Sequence, residues 1–381
     1  METLQIRPTE TRNIVGRALK GKRPIFIWGA PGIGKSDLVQ SIVDEMPGNN
    51  LMIDMRLALM EPTDLRGYPF RNPETNTMEW APPADLPTAE MAELYDNIVL
   101  FLDELNSAPP SVQAAAYQLV LNGRIGQYIL PKNVKIVAAG NRETDRGVTY
   151  RMPAPLANRF RHVYMGVNFD DWSEWAKANK VHPDVIGYLT YSKADLFDFD
   201  PKSNSTAFAT PRSWVNGVSD ILYTEGFDSA PEFEQKAEIA SAVGEGMAMK
   251  FVEHRKIASK LPNPEDVLNG KVKKLEIKER SAQYSFAVGL CYELAELATK
   301  EEKVFDKGVD YFFDFIINNL QPELVIYSAK TVLSDHDIDI NLENSKVKRS
   351  SKNATGNTCS QRRSKKLVAV SYNVTPTKTV T

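Results

Sequence analysis

Through the first 165 residues, short apolar runs alternate with stretches whose apolar positions recur at helical spacing. This rhythm predicts a parallel sheet with helices on its faces. The run "PIFIW" (24–28) predicts a buried strand, and "KSDLVQSIVDEM" after it places Leu38, Val39, Ile42, Val43 and Met46 on one helix face. "LMIDM" (51–55), "NIVLFLDE" (97–104) and "VKIVAAGN" (134–141) predict three more strands. "SVQAAAYQLVLNG" predicts a helix with Val112, Ala115, Ala116, Leu119 and Val120 on one face, and Gly123 suits its end. Two segments break the rhythm. The Pro-rich stretch 58–91 is long for a connection and predicts a functional insert or small hairpin, with "NPETNT" as its turn. "RIGQYILPKN" (124–133) predicts a second short hairpin.

Beyond residue 165 the pattern is mostly helical. "DDWSEWAKAN" opens it, and "ATPRSWVNGVSDIL" offers Thr210 as an N-cap with Pro211 at the first helical position. "EQKAEIASAVGEGMAMKFVEHRK" predicts one long helix that carries Gly244 and Gly246. "SAQYSFAVGLCYELAELA" and "GVDYFFDFIINNL" predict amphipathic helices, and Cys291 falls on the apolar face of the former, as a core residue does.

Composition sharpens this picture in three ways. At 381 residues, with 42% hydrophobic and 25% charged residues, the chain has material for two or three domains and a sizeable core. No apolar run approaches the ~20 residues of a membrane span, and "METLQIRPTE" lacks the pattern of a secretory signal. Two cysteines, Cys291 and Cys359, make neither a disulfide framework nor a metal cluster, so a cytoplasmic location is expected. The net charge of −3 hides an asymmetry: residues 344–381 hold nine Lys or Arg and no acid, leaving 37 basic against 49 acidic residues before them. The tail, rich in Ser, Thr and Asn, is expected to be disordered, either solvated or touching nucleic acid.

The chemistry lies in "GAPGIGKS", residues Gly29, Ala30, Pro31, Gly32, Ile33, Gly34, Lys35 and Ser36, which fits the phosphate-loop pattern between a predicted strand and a predicted helix. The glycines let backbone N–H groups approach phosphate oxygens, and the helix start adds partial positive charge. Lys35 is expected to reach the β and γ phosphates of ATP, and the Ser36 hydroxyl to help hold Mg2+. In "VLFLDE", Asp103 and Glu104 end a strand, where ligands of doubly wound sheets sit. Asp103 is expected to orient Mg2+ through water, and Glu104 to act as general base on the attacking water. Asn141 ends the next strand and can orient that water. Arg159 and Arg161 in "PLANRFRHV", and Arg212 in "TPRSW", are candidate contacts to phosphate. Arg212 opposes a helix dipole, for which an anionic partner is a physical reason.

Together "GAPGIGKS", "FLDELNSAPPSVQAAAYQLV", "VKIVAAGNRETDRGVTYRMPAPLANRF" and "ATPRSW" resemble, in this order, the AAA+ ATPases and specifically their MoxR-like branch, over residues 1–330. The resemblance implies an α/β P-loop NTPase core (1–165), an all-α lid (166–255) and a C-terminal helical extension (256–335); the basic tail (336–381) has no counterpart in the family. It implies that Asn141 is sensor 1, Arg212 is sensor 2, and Arg159 is an arginine finger reaching a neighbouring subunit's nucleotide, with Arg161 as the alternative. It implies a homo-oligomeric, hexameric ring whose 58–91 insert and 124–133 hairpin line one face, where Tyr68, Phe70 and Trp80 either grip a client or pack on the core. One departure is that Ser107 follows Asn106 where the family commonly has Arg.

The resulting expectation is an ATP-hydrolysing chaperone or remodelling ring acting on a protein partner, in this family often one with a von Willebrand factor A domain, with no membrane role. The alternative is a nucleic-acid motor, helicase-like or restriction-type. Only the basic tail favours it, and the acidic body gives a poor electrostatic footprint for a phosphate backbone.

Overall fold

The structure is a computed structural model that describes residues 4–145, 150–203, 205–258, 260–276, 279–298 and 302–335. The tail 336–381, with Cys359, lies outside them. The chain divides into two compact units. The first holds residues up to Asp171 together with 199–203 and 210–212, and the second holds the rest.

The first unit is built on a parallel sheet of six strands. In chain order its elements are β1 (Gln5–Ile6), α1 (Pro8–Leu19), β2 (Ile25–Trp28), α2 (Lys35–Glu45), β3 (Asn50–Arg56), α3 (Pro62–Arg66), β4 (Tyr68–Asn72), β5 (Thr77–Ala81), α4 (Ala89–Leu94), β6 (Asn97–Asp103), α5 (Pro110–Asn122), β7 (Arg124–Ile125), β8 (Tyr128–Ile129), β9 (Val134–Gly140), α6 (Ala154–Ala157) and β10 (Arg161–Met165). The sheet order is β1-β10-β2-β9-β6-β3. The four expected strands are present, and β6 carries the most buried run, Ile98 to Leu102, all at 0% exposure. A strand covered on both faces reads as a continuous apolar run, which is why its sequence was legible.

Strands β1 and β10 escaped the pattern. β1 has two residues, and β10 reads "RHVYM", where only Val163 and Met165 are buried. Helix α1 escaped as well, because its buried set is only Thr11, Val15, Ala18 and Leu19 on an otherwise polar segment. Those four still keep helical spacing along one face.

Both interruptions fold as expected hairpins outside the main sheet. β4 pairs antiparallel with β5 around a turn at 73–76, and β7 pairs with β8. The two hairpins touch where the Trp80 amide donates to Gln127 Oε1 at 3.4 Å. Tyr68 and Phe70 are exposed on the first hairpin, whereas Trp80 is half-buried under the Arg66 guanidinium, 5.7 Å from its ring.

The second unit is helical. Its described helices include Pro183–Tyr191, Glu232–Val243, Glu245–Ala258, Arg280–Leu297, Glu302–Asn319 and Pro322–Lys330. The expected single helix over 234–256 is two helices, broken at Gly244, whose φ of +87° is left-handed. A Cβ there would lie 2.8 Å from the Ala207 carbonyl oxygen, so only glycine fits both the conformation and the space. Helix Arg280–Leu297 is less amphipathic than its pattern suggested: it buries Ala282, Phe286, Leu290, Cys291 and Leu294, but also Gln283, Ser285 and Ala287. It packs against Pro183–Tyr191, Glu245–Ala258 and Glu302–Asn319, so most of its circumference meets protein.

One buried polar group there gives a pH-dependent stability. His254 is 5% exposed; its Nε2 pairs with Ser285 Oγ at 2.6 Å, and its Nδ1 meets no hydrogen-bond partner among the described residues. Burial pushes the imidazole down from 6.5 to about 4, against a smaller opposing pull from Asp184. The unfolded chain therefore binds a proton that the native state refuses between those values. The associated stability is fully present above about pH 6.5 and is lost as pH falls towards about 4, amounting to about 3 kcal/mol. Thermal melts of His254→Phe protein should fall less steeply over that window than those of the parent. Equal slopes would remove His254 as the cause.

Candidate active site

The loop after β2 forms because its sequence permits conformations that larger residues resist. Gly32 and Gly34 sit at φ +73° and +86°, and Gly34 turns the chain into α2, whose first residues are Lys35 and Ser36. A hydrogen bond from the Gly29 amide to the Gly140 carbonyl, 3.2 Å, extends the β2–β9 pairing into the loop. On its other side the Arg212 amide donates to the Gly32 carbonyl at 3.0 Å, and a Cβ on Gly32 would meet the Thr210 side chain at 2.7 Å. The segment 210–212 belongs to this unit and closes against the loop.

Lys35 is buried, and its three ammonium protons are matched by three oxygens: Gly29 O at 2.9 Å, Ala30 O at 3.0 Å and Asn141 Oδ1 at 3.0 Å. Burial lowers its pKa to about 8. The Asp103, Asp145 and Glu104 carboxylates pull it back up, and Arg212 pushes it down. A polyphosphate beside Nζ would favour the charged form, since an opposite charge at that range raises an ammonium's pKa.

The Ser36 hydroxyl donates to Asp103 Oδ2 at 3.0 Å, and the Glu104 amide donates to Asp103 Oδ1 at 2.8 Å. Both carboxylate oxygens of Asp103 are thus oriented. Glu104 is one of three non-glycine residues with positive φ among those described, at +54°. That conformation lets the Glu104 carbonyl accept from the Ser107 and Ala108 amides at 2.8 and 3.2 Å while the Leu105 amide returns to Ala139 O. Strain of this kind concentrates where a side chain must point somewhere particular.

Asn141 follows β9, as expected, beside β6. A residue not singled out as part of the site holds it: Asn106 is 1% exposed, and its Nδ2 donates to the Asn141 carbonyl at 2.7 Å. Its Oδ1 is buried without a hydrogen-bond partner among the described residues. A Cβ on Gly140 would fall 2.1 Å from that oxygen, so the small residue before Asn141 is required. The sequence signal was a polar residue just after an apolar strand, where an ordinary turn would leave it exposed.

The arginines divide. Arg212 is close enough to act electrostatically on Lys35. Arg159 and Arg161 are exposed at the amino end of the sheet, since Arg161 opens β10 opposite Ile25, the first residue of β2. The phosphate loop leaves the carboxyl end of β2, a strand of four residues and about 13 Å. The structure therefore brings Lys35, Ser36, Asp103, Glu104, Asn141 and Arg212 together, and places Arg159 and Arg161 at the other end of the strands.

A glycine loop between strand and helix, with a carboxylate pair at the end of β6, one strand removed from β2 in the sheet, is a P-loop arrangement, and similarity to known families refines it. Residues 24–160 match the AAA domain of the dynein-related subfamily. The first unit thus carries a stretch that matches an AAA domain on a six-stranded parallel sheet, and a helical C-terminal region follows it along the chain. The chain is 29% identical over 192 residues to midasin of Giardia intestinalis. That stretch is 48% of this chain and 4% of midasin, so the chain spans a small fraction of that curated relative. Among solved structures, it is similar to NtrX of Brucella abortus in complex with ADP (16% identity, TM-score 0.38, 80% of this chain and 68% of that one). It is also similar to a RuvB mutant of Thermotoga maritima (15% identity, TM-score 0.33, 66% and 72%). No helix among the described residues is long and apolar enough to cross a membrane.

Proposed function

We propose that this chain hydrolyses ATP with Mg2+ and works as a MoxR-like remodelling ring on a protein partner. The observation that carries the reading is the convergence of Lys35, Ser36, Asp103 and Asn141 through hydrogen bonds of 3.0 Å at the carboxyl ends of β2, β6 and β9. The donor set fits Mg2+, which is usually held by one or two protein oxygens with substrate phosphate and water completing its octahedron. Ser36 Oγ would be such an oxygen, and Asp103, already in contact with it, would hold the ion through water. Bound there, Mg2+ would neutralise charge developing on the β and γ phosphates.

The remaining work falls to the chain. Lys35 exchanges its two loop carbonyls and Asn141 Oδ1 for phosphate oxygens, so binding frees the Asn141 side chain. Asn141 then orients the water, and Glu104 accepts its proton. Arg212 contacts phosphate from the segment that closes on Gly32. In this reading residues 166–255 act as the lid and 256–335 as its extension. Arg159, at the far end of β2 from its own phosphate loop, serves a neighbouring subunit's nucleotide, and the subunits close as a hexamer. Exposed Tyr68 and Phe70 contact the client, and the partner carries a von Willebrand factor A domain.

Lys35→Ala tests the nucleotide site itself. The variant should lose both ATP affinity and phosphate release, measured by nucleotide-analogue titration and by a coupled phosphate assay. Parent-like binding in this variant would sink the assignment of the loop. Partner identity is tested by pull-down with Glu104→Gln protein in ATP, in which a von Willebrand factor A protein should be retained. Retention that is equal without ATP would count against a ring-held client.

A further inference from the structure

The turn that carries Arg159 is fastened, residue by residue, to β2 and the residues just before it. The Ala157 carbonyl accepts from His162 Nε2 at 2.8 Å. His162 Nδ1 in turn accepts from Trp28 Nε1 at 2.9 Å; an indole N–H only donates, so the His162 proton must sit on Nε2. The Asn158 carbonyl accepts from Arg23 Nη2 at 2.5 Å, and the Arg159 carbonyl from Arg23 Nε at 3.2 Å. Phe160 is buried edge-on against Phe26, with ring centroids 5.4 Å apart. The Arg161 amide donates to Pro24 O at 2.9 Å. Helix α6 ends at Ala157, and the two carbonyls that follow it, of Asn158 and Arg159, take the Arg23 donors in one rigid fork. What these contacts leave unfixed is the exposed Arg159 side chain itself.

We infer that Arg23 is a positioning residue for Arg159: its guanidinium fork on two successive carbonyls sets the direction in which the finger leaves the subunit. The inference rests on the reading of Arg159 as a finger acting in trans. It adds a mechanical consequence. Strand β2 bears the phosphate loop at one end and, through Arg23, the finger turn at the other, so one short strand ties the subunit's own nucleotide site to the residue it lends its neighbour. Misplacing a charge-stabilising group by about an ångström costs on the order of a hundredfold in rate, so the fork's geometry has kinetic weight.

The test uses the full chain and steady-state ATPase kinetics. Arg23→Ala and Arg23→Lys should each lower kcat by about ten- to a hundredfold with KM for ATP and analogue affinity unchanged, because neither touches the phosphate loop. Lysine keeps the charge but not the fork, so a lysine variant at parent rate would overturn the geometric claim. The double variant Arg23→Ala/Arg159→Ala should be no slower than Arg159→Ala alone, and Arg23→Ala protein mixed with Glu104→Gln protein should regain turnover. If the double variant is slower still, or if analogue binding weakens in step with kcat, Arg23 supports its own strand and the inference fails. If Arg159→Ala itself turns over at the parent rate, it is the finger reading that fails. Thermal melts identify an Arg23→Ala chain that does not fold, in which case the lysine variant decides.

Discussion

Glu104→Gln protein should bind ATP as the parent does and turn it over about 10²- to 10⁴-fold more slowly, the range a positioned general base supplies. The structure gives this variant a clean interpretation. The Glu104 amide, which orients Asp103 Oδ1, is a backbone group and survives the change, so the expected metal-facing carboxylate keeps its aim. Glutamine keeps the length and the strained backbone of the site while losing the ability to accept a proton. Binding and turnover should therefore separate: analogue affinity holds while phosphate release collapses. A variant that loses both together would show that Glu104 shapes the nucleotide pocket. One that keeps both would remove it from the chemistry.

Arg159→Ala is the second large effect. An arginine finger contributes about 10³- to 10⁵-fold to phosphoryl transfer, so kcat should fall by that order with ATP affinity retained. Because Arg159 lies at the amino end of the sheet and the phosphate loop at the carboxyl end, the loss should be repaired from outside. In mixed assemblies, an Arg159→Ala subunit has an intact Glu104 and can receive a finger from a Glu104→Gln neighbour. Activity should then exceed that of either variant alone. Mixed protein with only the sum of the separate activities would argue against action in trans, and the same mixture made with Arg161→Ala shows whether that neighbour holds the role.

The parts of this arrangement that could be read from sequence share one cause. The phosphate loop, Asp103 and Glu104 sit at the ends of strands buried on both faces, and such strands announce themselves as unbroken apolar runs. Asn141 follows such a strand too. Where burial is one-sided or brief, the signal fades: β10 is half polar, β1 is two residues long, and α1 buries only four of its side chains. Gly244 was visible as a weak helix residue, but the clash that makes it a break comes from Ala207, distant in sequence. Arg23 gave no signal for the same reason, and Asn106 gave only that of a polar residue after an apolar strand. Each acts on a carbonyl 35 or more positions away, and no local spacing encodes a contact of that kind.

The left-handed backbone at Glu104 sets two demands on one position. A glycine would relieve on the order of 1 kcal/mol of conformational strain there, and would delete the carboxylate in the same step. With Glu104 as the proposed base, stability and turnover would favour different residues. A library of this chain sorted only for heat resistance should drift towards inactive proteins at this codon, and one sorted only for turnover should keep glutamate at the expense of melting temperature. Thermal selection applied to this scaffold thus needs a second, catalytic filter at residue 104.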